Sequence, residues 1–207
     1  MYIICLILYF TEMTKEKTKS KIEKTTLNLI DRKPFQQIST KEIAYETGIA
    51  EVTLFRHFKN KEKILDTLAD KFFSLIIGFE NKNILTEVEF KNELIKFFNK
   101  SISRGPIQRK LFKIFLYIGM YRKDKFLKYS GVYENQIATP IEKVVEYGKK
   151  NWGYKQDIDT EIAVKLLINS IGFFHIIQNV FLLREQKPYN LDKVVEIAVN
   201  NFIKNLK

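Results

Sequence analysis

Residues 40–65 read TKEIAYETGIAEVTLFRHFKNKEKIL, and the helix signals in this stretch decide the fold. Thr40 suits a helix N-cap, and Glu42 with Glu46 places negative charge toward the positive end of the helix that follows. Ile43 and Ala44 point one way, Ala44 being small enough to admit a close neighbour. Gly48 supplies the left-handed backbone that ends a helix without a Cβ penalty, and Ile49 plugs the corner. A second helix begins at Glu51. Leu54 and Phe58, four residues apart, share its buried face. Val52, Thr53 and Arg56 therefore point outward, with Glu51, Phe55 and His57 at the flanks. Two short helices around a tight turn, the second with a probing outer face, form the arrangement that puts side chains into a DNA major groove. The bare pattern fits a structural helical hairpin as well, so the residue types have to decide.

The full string, T-x2-IA-x3-GI-x3-TLFRHF-x2-KE-x2-L, resembles the DNA-binding signature of the TetR family of transcriptional regulators. The resemblance covers about residues 17–66. It implies that Thr40 and Lys41, at the start of the bracing helix, touch the phosphate backbone. It also implies a reading helix that offers Ala50, Glu51, Val52, Thr53, Phe55, Arg56 and His57, and a phosphate grip by Lys61. Two positions depart from the family pattern. Ala50 stands where many relatives have Ser, so a hydroxyl cap is lost there. Phe55 stands where they have Tyr, so a phosphate-binding hydroxyl is lost and the ring can only pack. Arg56 suits a bidentate contact to guanine, and Thr53 or Val52 suits a thymine methyl. His57 reads either as a contact or as a helix-packing histidine.

Composition agrees with this reading. A chain of 207 residues, 45% hydrophobic, can bury a sizeable core in one or two domains. With four prolines, eight glycines and no alternating Val/Ile/Thr runs, it reads as all-α. The net charge of +11 permits an anionic partner without identifying one. Cys5 is the single cysteine, so no internal disulfide forms, which suits a reducing compartment and a cytoplasmic protein. The opening decamer MYIICLILYF is too short to span a bilayer and lacks a basic n-region. The reading taken here is that translation begins at Met13, with a packed or loose extension as the alternative.

The first helix is expected over 14–32, lysine-rich at its start (Lys15, Lys17, Lys19, Lys21, Lys24) and apolar later at Ile22, Leu27 and Ile30. Those lysines form either a solvated arm or a set of phosphate contacts. Lys33-Pro34-Phe35 ends the helix. After Lys61 an apolar stripe from Ile64 to Ile76 predicts a long helix leaving a DNA-binding domain at 13–63. A regulatory domain follows at 64–207, with helices over 86–103, then an aromatic-rich helix after the Gly105-Pro106 break (Phe112, Phe115, Tyr117, Tyr121), then 125–150 with a kink at Pro140, 162–183 and 190–206. Residues 104–155 hold twelve basic and four acidic side chains, against twelve and seven in 13–63. That surplus is a solvated face or the mouth of an anionic-ligand site near Arg104, Arg109, Lys110 or Lys113.

Residues 162–183 are apolar nearly all round, so one face needs cover beyond the subunit's own core. With the cleaner stripe of the last helix they predict a four-helix homodimer interface through Ile168, Ile171, Ile177, Val180, Phe181, Val195, Val199 and Phe202. The resemblance implies the same mode of pairing. Phe112, Tyr117, Tyr121, Phe174, His175 and Gln178 combine apolar area with polar handles and are the candidates for an effector pocket, or else plain core. No catalytic set, metal-ligand cluster or cofactor motif is apparent. The expected partners are double-stranded DNA, a second copy and a small-molecule effector, with no membrane. The competing expectation is a nucleoid, division or interaction factor of the same fold without an inducer.

Overall fold

The computed structural model describes residues 2–81, 84–102, 106–179, 181 and 189–207, with only the backbone for residues 2–14, 106–109, 111 and 179. Among the described residues the chain is helical and contains no strand. It divides into two compact units: one runs through Ser74 and takes in Lys110–Tyr117, and the other holds Leu75–Arg109 and Ile118–Lys207.

The first unit contains α1 (Tyr2–Arg32), a 3-10 turn (Phe35–Gln37), α2 (Thr40–Thr47), α3 (Glu51–His57), α4 (Lys61–Ser74) and residues 110–117 of α6 (Pro106–Tyr121). Ile22 and Leu29 from α1, Ile43 from α2, Leu54 from α3 and Ile64, Leu65 and Leu68 from α4 are fully buried. Helix α4 belongs here in full, because its buried stripe runs on through Ala69 and Phe73. The unit therefore ends past the boundary expected at residue 63. The long helix expected from the stripe running to Ile76 stops at Ser74, and Leu75 is exposed. Residues 110–117 close the unit on another side. Phe72 meets Phe112 and Phe115 at ring distances of 5.9 Å each, and Phe35 meets Tyr117 edge-on at 5.5 Å. A buried carboxylate, Glu23 of α1, pairs with Lys71 of α4.

The second unit contains α5 (Glu87–Ile102), the end of α6, α7 (Lys123–Tyr133), a π-helical turn (Glu134–Ala138), α8 (Thr139–Asn151), α9 (Thr160–Asn179) and α10 (Leu191–Leu206). Phe90, Leu94, Phe97 and Phe98 of α5 turn inward as their spacing predicts. The kink expected at Pro140 takes another form. Pro140 sits in the first turn of α8, where its missing N–H costs nothing. The wide turn just before it absorbs the irregularity. At the other end of α8, Gly148 lies against two rings. A Cβ there would stand 2.4 Å from Tyr154 Cε2 and 2.8 Å from Trp152 Cε3.

Helix α9 has the length and apolarity of a membrane span, with mean hydropathy 1.4 over Thr160–Gln178. One face nevertheless lies in the unit's core through Val164, Leu167, Ile168 and Ile171. That placement bears on the residues expected at the pairing surface. Ile168, Ile171, Val195, Val199 and Phe202 are spent inside the subunit, because α9 and α10 pack on each other and α10 also packs on α5. Ile177 is half-buried, Phe181 is exposed, and Val180 lies outside the described residues. Among the described residues, the large apolar side chains left in the open on these two helices are Ile162, Leu166 (66% exposed), Phe173 and Phe174 of α9, with Ile197 of α10.

Replacing Gly148 with Ala forces both rings off the helix. Chemical denaturation should show a loss of about 1–3 kcal/mol, the usual cost of overpacking. An unchanged midpoint would mean that Tyr154 and Trp152 are free to retreat.

Candidate nucleic-acid interface

The capping residue of α2 is Ser39, one residue before the position expected from sequence: its Oγ accepts the Glu42 N–H at 3.1 Å. Thr40 lies inside the helix, and its hydroxyl donates to Glu51 Oε1 at 2.6 Å. This bond ties the start of the bracing helix to the start of the reading helix. Between them Gly48 takes φ 72°, in the left-handed region, and its N–H donates to the carbonyl of Tyr45 at 2.9 Å. The Ile49 N–H closes the corner on the Ala44 carbonyl at 3.0 Å. Helix α3 then starts from Ala50, whose extended backbone offers its carbonyl to the N–H groups of Thr53 and Leu54 and whose side chain gives no cap.

Leu54 and Phe58 seat α3 in the core. Val52 is 74% exposed and Phe55 45% exposed, Arg56 is exposed, and Glu51, Thr53 and His57 are half-buried. The predicted outer face is thus brought together on one short helix, with exposed Lys41 on its neighbour. Sequence reasoning missed Tyr45, which is 84% exposed on α2. It stands one helical turn after Lys41, on the same face, and that spacing was the signal that could have found it.

The electrostatics join α1 to this surface. Burial pushes the His57 imidazole below its usual value, and the charges of Arg56, Lys15 and Lys19 push the same way. His57 is therefore neutral near pH 7, and two lysines of α1 lie close enough to the end of α3 to act on it. Lys21 Nζ would stand 3.8 Å from a Cβ placed on Gly48, at the turn itself. Lys33 pairs with Glu42 at 2.7 Å and holds that carboxyl below its ordinary range.

Lys61 occupies a different place from the one its resemblance implies. Its ammonium lies within hydrogen-bond distance of the carbonyls of Phe35, Gln36 and Ile38, at 3.1, 3.3 and 2.9 Å. It is directed into the protein because these carbonyls converge on it, and the expected phosphate grip is not what this geometry presents.

The effector candidates are divided between the two units. Phe112 and Tyr117 belong to the first unit, packed on Phe72 and Phe35. In the second unit Tyr121 is exposed and His175 is half-buried. Phe174 meets the Tyr189 ring at 5.7 Å. The Gln178 amide is used at both ends, donating to the Tyr189 carbonyl at 2.8 Å and accepting its N–H at 2.9 Å. Lys110 and Lys113 do not wait at a ligand mouth either: Lys113 binds Asp31 at 2.6 Å, and Lys110 binds Asn28 at 2.8 Å. Arg104 and the Arg109 side chain lie outside the described residues. Among the described residues no group of three His, Cys, Asp or Glu side chains could hold a metal.

A family model for bacterial regulatory proteins of the tetR family matches residues 22–68, from α1 into α4. The chain is 33% identical over 57 residues to the HTH-type transcriptional regulator YvkB of Bacillus subtilis, and this match spans 28% of the chain and 30% of that protein. Solved structures resemble it over far more of its length. The TetR family regulator PfmR of Thermus thermophilus aligns with TM-score 0.64 at 16% identity, covering 90% of this chain and 98% of that one. MexZ of Pseudomonas aeruginosa, described as a repressor responsible for antibiotic resistance, aligns with TM-score 0.61 at 14% identity, covering 90% and 95%. The fatty acid degradation regulator FadR of Bacillus halodurans aligns with TM-score 0.59 at 18% identity, covering 92% and 96%. Signature and helix-turn-helix geometry coincide with the tetR-type DNA-binding segment over residues 22–68, and the all-helical architecture of the chain is similar to that of these regulators over nine-tenths of its length.

Proposed function

We propose that the protein is a homodimeric, one-component cytoplasmic repressor that binds a near-palindromic operator and releases it on taking up a small-molecule effector. The observation that carries the DNA contact is the outer face of α3. A helix of seven residues, anchored behind by Leu54, leaves Val52, Phe55 and Arg56 open to solvent side by side. The exposed apolar groups are unfavourable in water, and with the adjacent guanidinium they are complementary to a thymine methyl and a guanine edge. Lys41, Tyr45 and the lysines of α1 supply phosphate contacts around them. Thr40 is less suited, since its hydroxyl proton is already given to Glu51.

The pairing surface is the open apolar face of α9 and α10. Ile162, Leu166 and Phe173 recur at helical spacing, and a groove of about 690 Å³ runs beside them, lined also by Phe174, Ile197 and Ala198. A second copy related by a two-fold axis covers this face with its own equivalent and places two reading helices one DNA turn, about 34–36 Å, apart. An effector in the C-terminal unit then alters that spacing, and coupling of about 1–3 kcal/mol changes operator affinity some five- to 150-fold. The reading without an inducer draws on Gln178, whose amide nitrogen and oxygen are each engaged by the Tyr189 backbone.

Gel-shift titration with the DNA flanking the protein's own gene tests the main reading. Arg56→Ala should weaken binding by about 1–3 kcal/mol and relax preference at one base pair of each half-site. Equal binding by both proteins, or none by either, would leave α3 without a reading role. Leu166→Glu and Phe173→Glu should each give a monomer in analytical ultracentrifugation, with operator affinity reduced, while Val199→Ala, buried in the core, should leave the dimer intact. A dimer that persists in both glutamate variants would place the interface elsewhere. The imidazole adds a pH term. His57 sits below its ordinary 6.5 in the free protein, and an adjacent phosphate raises it, so binding takes up a proton between the two values. Affinity should strengthen as pH falls through this window and level off once the free imidazole is also protonated. His57→Gln should remove that strengthening.

A further inference from the structure

The turn between α1 and α2 is held by a cation from α4. Phe35 and Ile38 are buried, and the carbonyls of Phe35, Gln36 and Ile38 converge on one point. Lys61 Nζ occupies that point, 4.6 Å from the centroid of the Phe35 ring. An ammonium has three hydrogens, and three carbonyls accept them all. The negative face of the ring adds attraction on a further side. An ammonium satisfied in this way has no hydrogen left for a phosphate oxygen, and leaving the cradle would give up three charge-assisted hydrogen bonds, two of them part-buried.

The turn leads directly into Ser39, the cap of α2, and then into Thr40 and Lys41. Its carbonyl geometry therefore fixes where α2 begins.

We infer that Lys61 is a positioning residue for DNA binding: it locks the α1–α2 turn so that Lys41 and the start of α2 meet the phosphate backbone, and it does not itself grip a phosphate. This rests on the DNA-binding reading above for its affinity consequences, but the lock itself belongs to the free protein.

Two measurements test it. The first is amide hydrogen exchange on the free protein. The Gln37 and Ile38 N–H groups close the 3-10 turn on Pro34 and Phe35. In Lys61→Met their exchange should quicken by at least about tenfold, the loss of one hydrogen bond to a charged group. Unchanged exchange would overturn the lock whether or not the protein binds DNA. The second is a double-mutant cycle on affinity for the DNA flanking the gene, measured well below the unfolding temperature so that only folded protein is compared. Lys61→Met should weaken binding about tenfold in the wild-type background and less than about twofold when Lys41 is already Ala, because coupled residues are not additive. In that Lys41→Ala background the slope of log affinity against log salt should not fall further. A direct phosphate contact would instead give additive losses and a further drop of about 0.9 in the slope, and that result would overturn the assignment.

Lys61→Arg keeps the charge and protects against loss of folding. A planar guanidinium fork cannot direct three hydrogens into a cradle shaped for an ammonium. Binding should weaken and exchange at Ile38 should quicken, while wild-type affinity with unchanged exchange would overturn the inference. Absence of any DNA binding by the wild-type protein would refute the DNA-binding reading, and the exchange result would still decide the lock.

Discussion

A seven-residue helix is not stable in water by itself, because nucleation costs more than so few backbone bonds return. Helix α3 exists because Leu54 and Phe58 enter a core made by α1, α2 and α4. This dependence makes its outer face useful. A helix fixed only from behind presents its front without further support, and the orientation of Val52, Phe55 and Arg56 is inherited from the packing. The Gly48 corner and the Thr40–Glu51 hydrogen bond remove the remaining freedom, setting the angle and the register between the two short helices.

The same logic extends to charge. Several cations that composition makes available for an anionic partner are already committed inside the protein. Lys33 belongs to Glu42, Lys71 to Glu23, Lys113 to Asp31 and Lys61 to a backbone turn. Lys113 holds the Asp31 carboxyl below its ordinary range, as a close cation should. The exposed charge beside the reading helix is therefore selected from the excess rather than equal to it, and it comes from Lys15, Lys41 and Arg56.

What the sequence could disclose follows from how strongly each feature is local. Gly48, Leu54 and Phe58 are marked by backbone preference and spacing, and the helix-turn-helix was readable from them. Helix α5 was readable because its stripe of Phe90, Leu94, Phe97 and Phe98 has one phase. Helix α9 has no phase: apolar on every side, it carries no indication of which side faces inward. Its spacing therefore does not show that Ile168 and Ile171 face the subunit's own core while Leu166 and Phe173 stay exposed. Long side chains and competing caps hid two further features. Spacing does not say where a lysine of four methylenes ends, so the cradle around Lys61 was invisible. Ser39 and Thr40 are both good caps, and only the backbone conformation at Ser39, φ −95° and ψ 156°, decides between them.

The sequence-distant strip Lys110–Tyr117 has a bearing on how such a protein can be recombined. Phe112, Phe115 and Tyr117 shelter Phe72, Phe73 and Phe35, residues encoded far upstream. A graft that transplants the chain through Ser74 onto a foreign body would leave those three phenylalanines bare, and the reading head would arrive with an oily flank that invites aggregation. Exchange of heads between regulators of this build is therefore constrained at a seam that is discontinuous in the gene. A workable chimera must carry a matching piece of α6 along with the head.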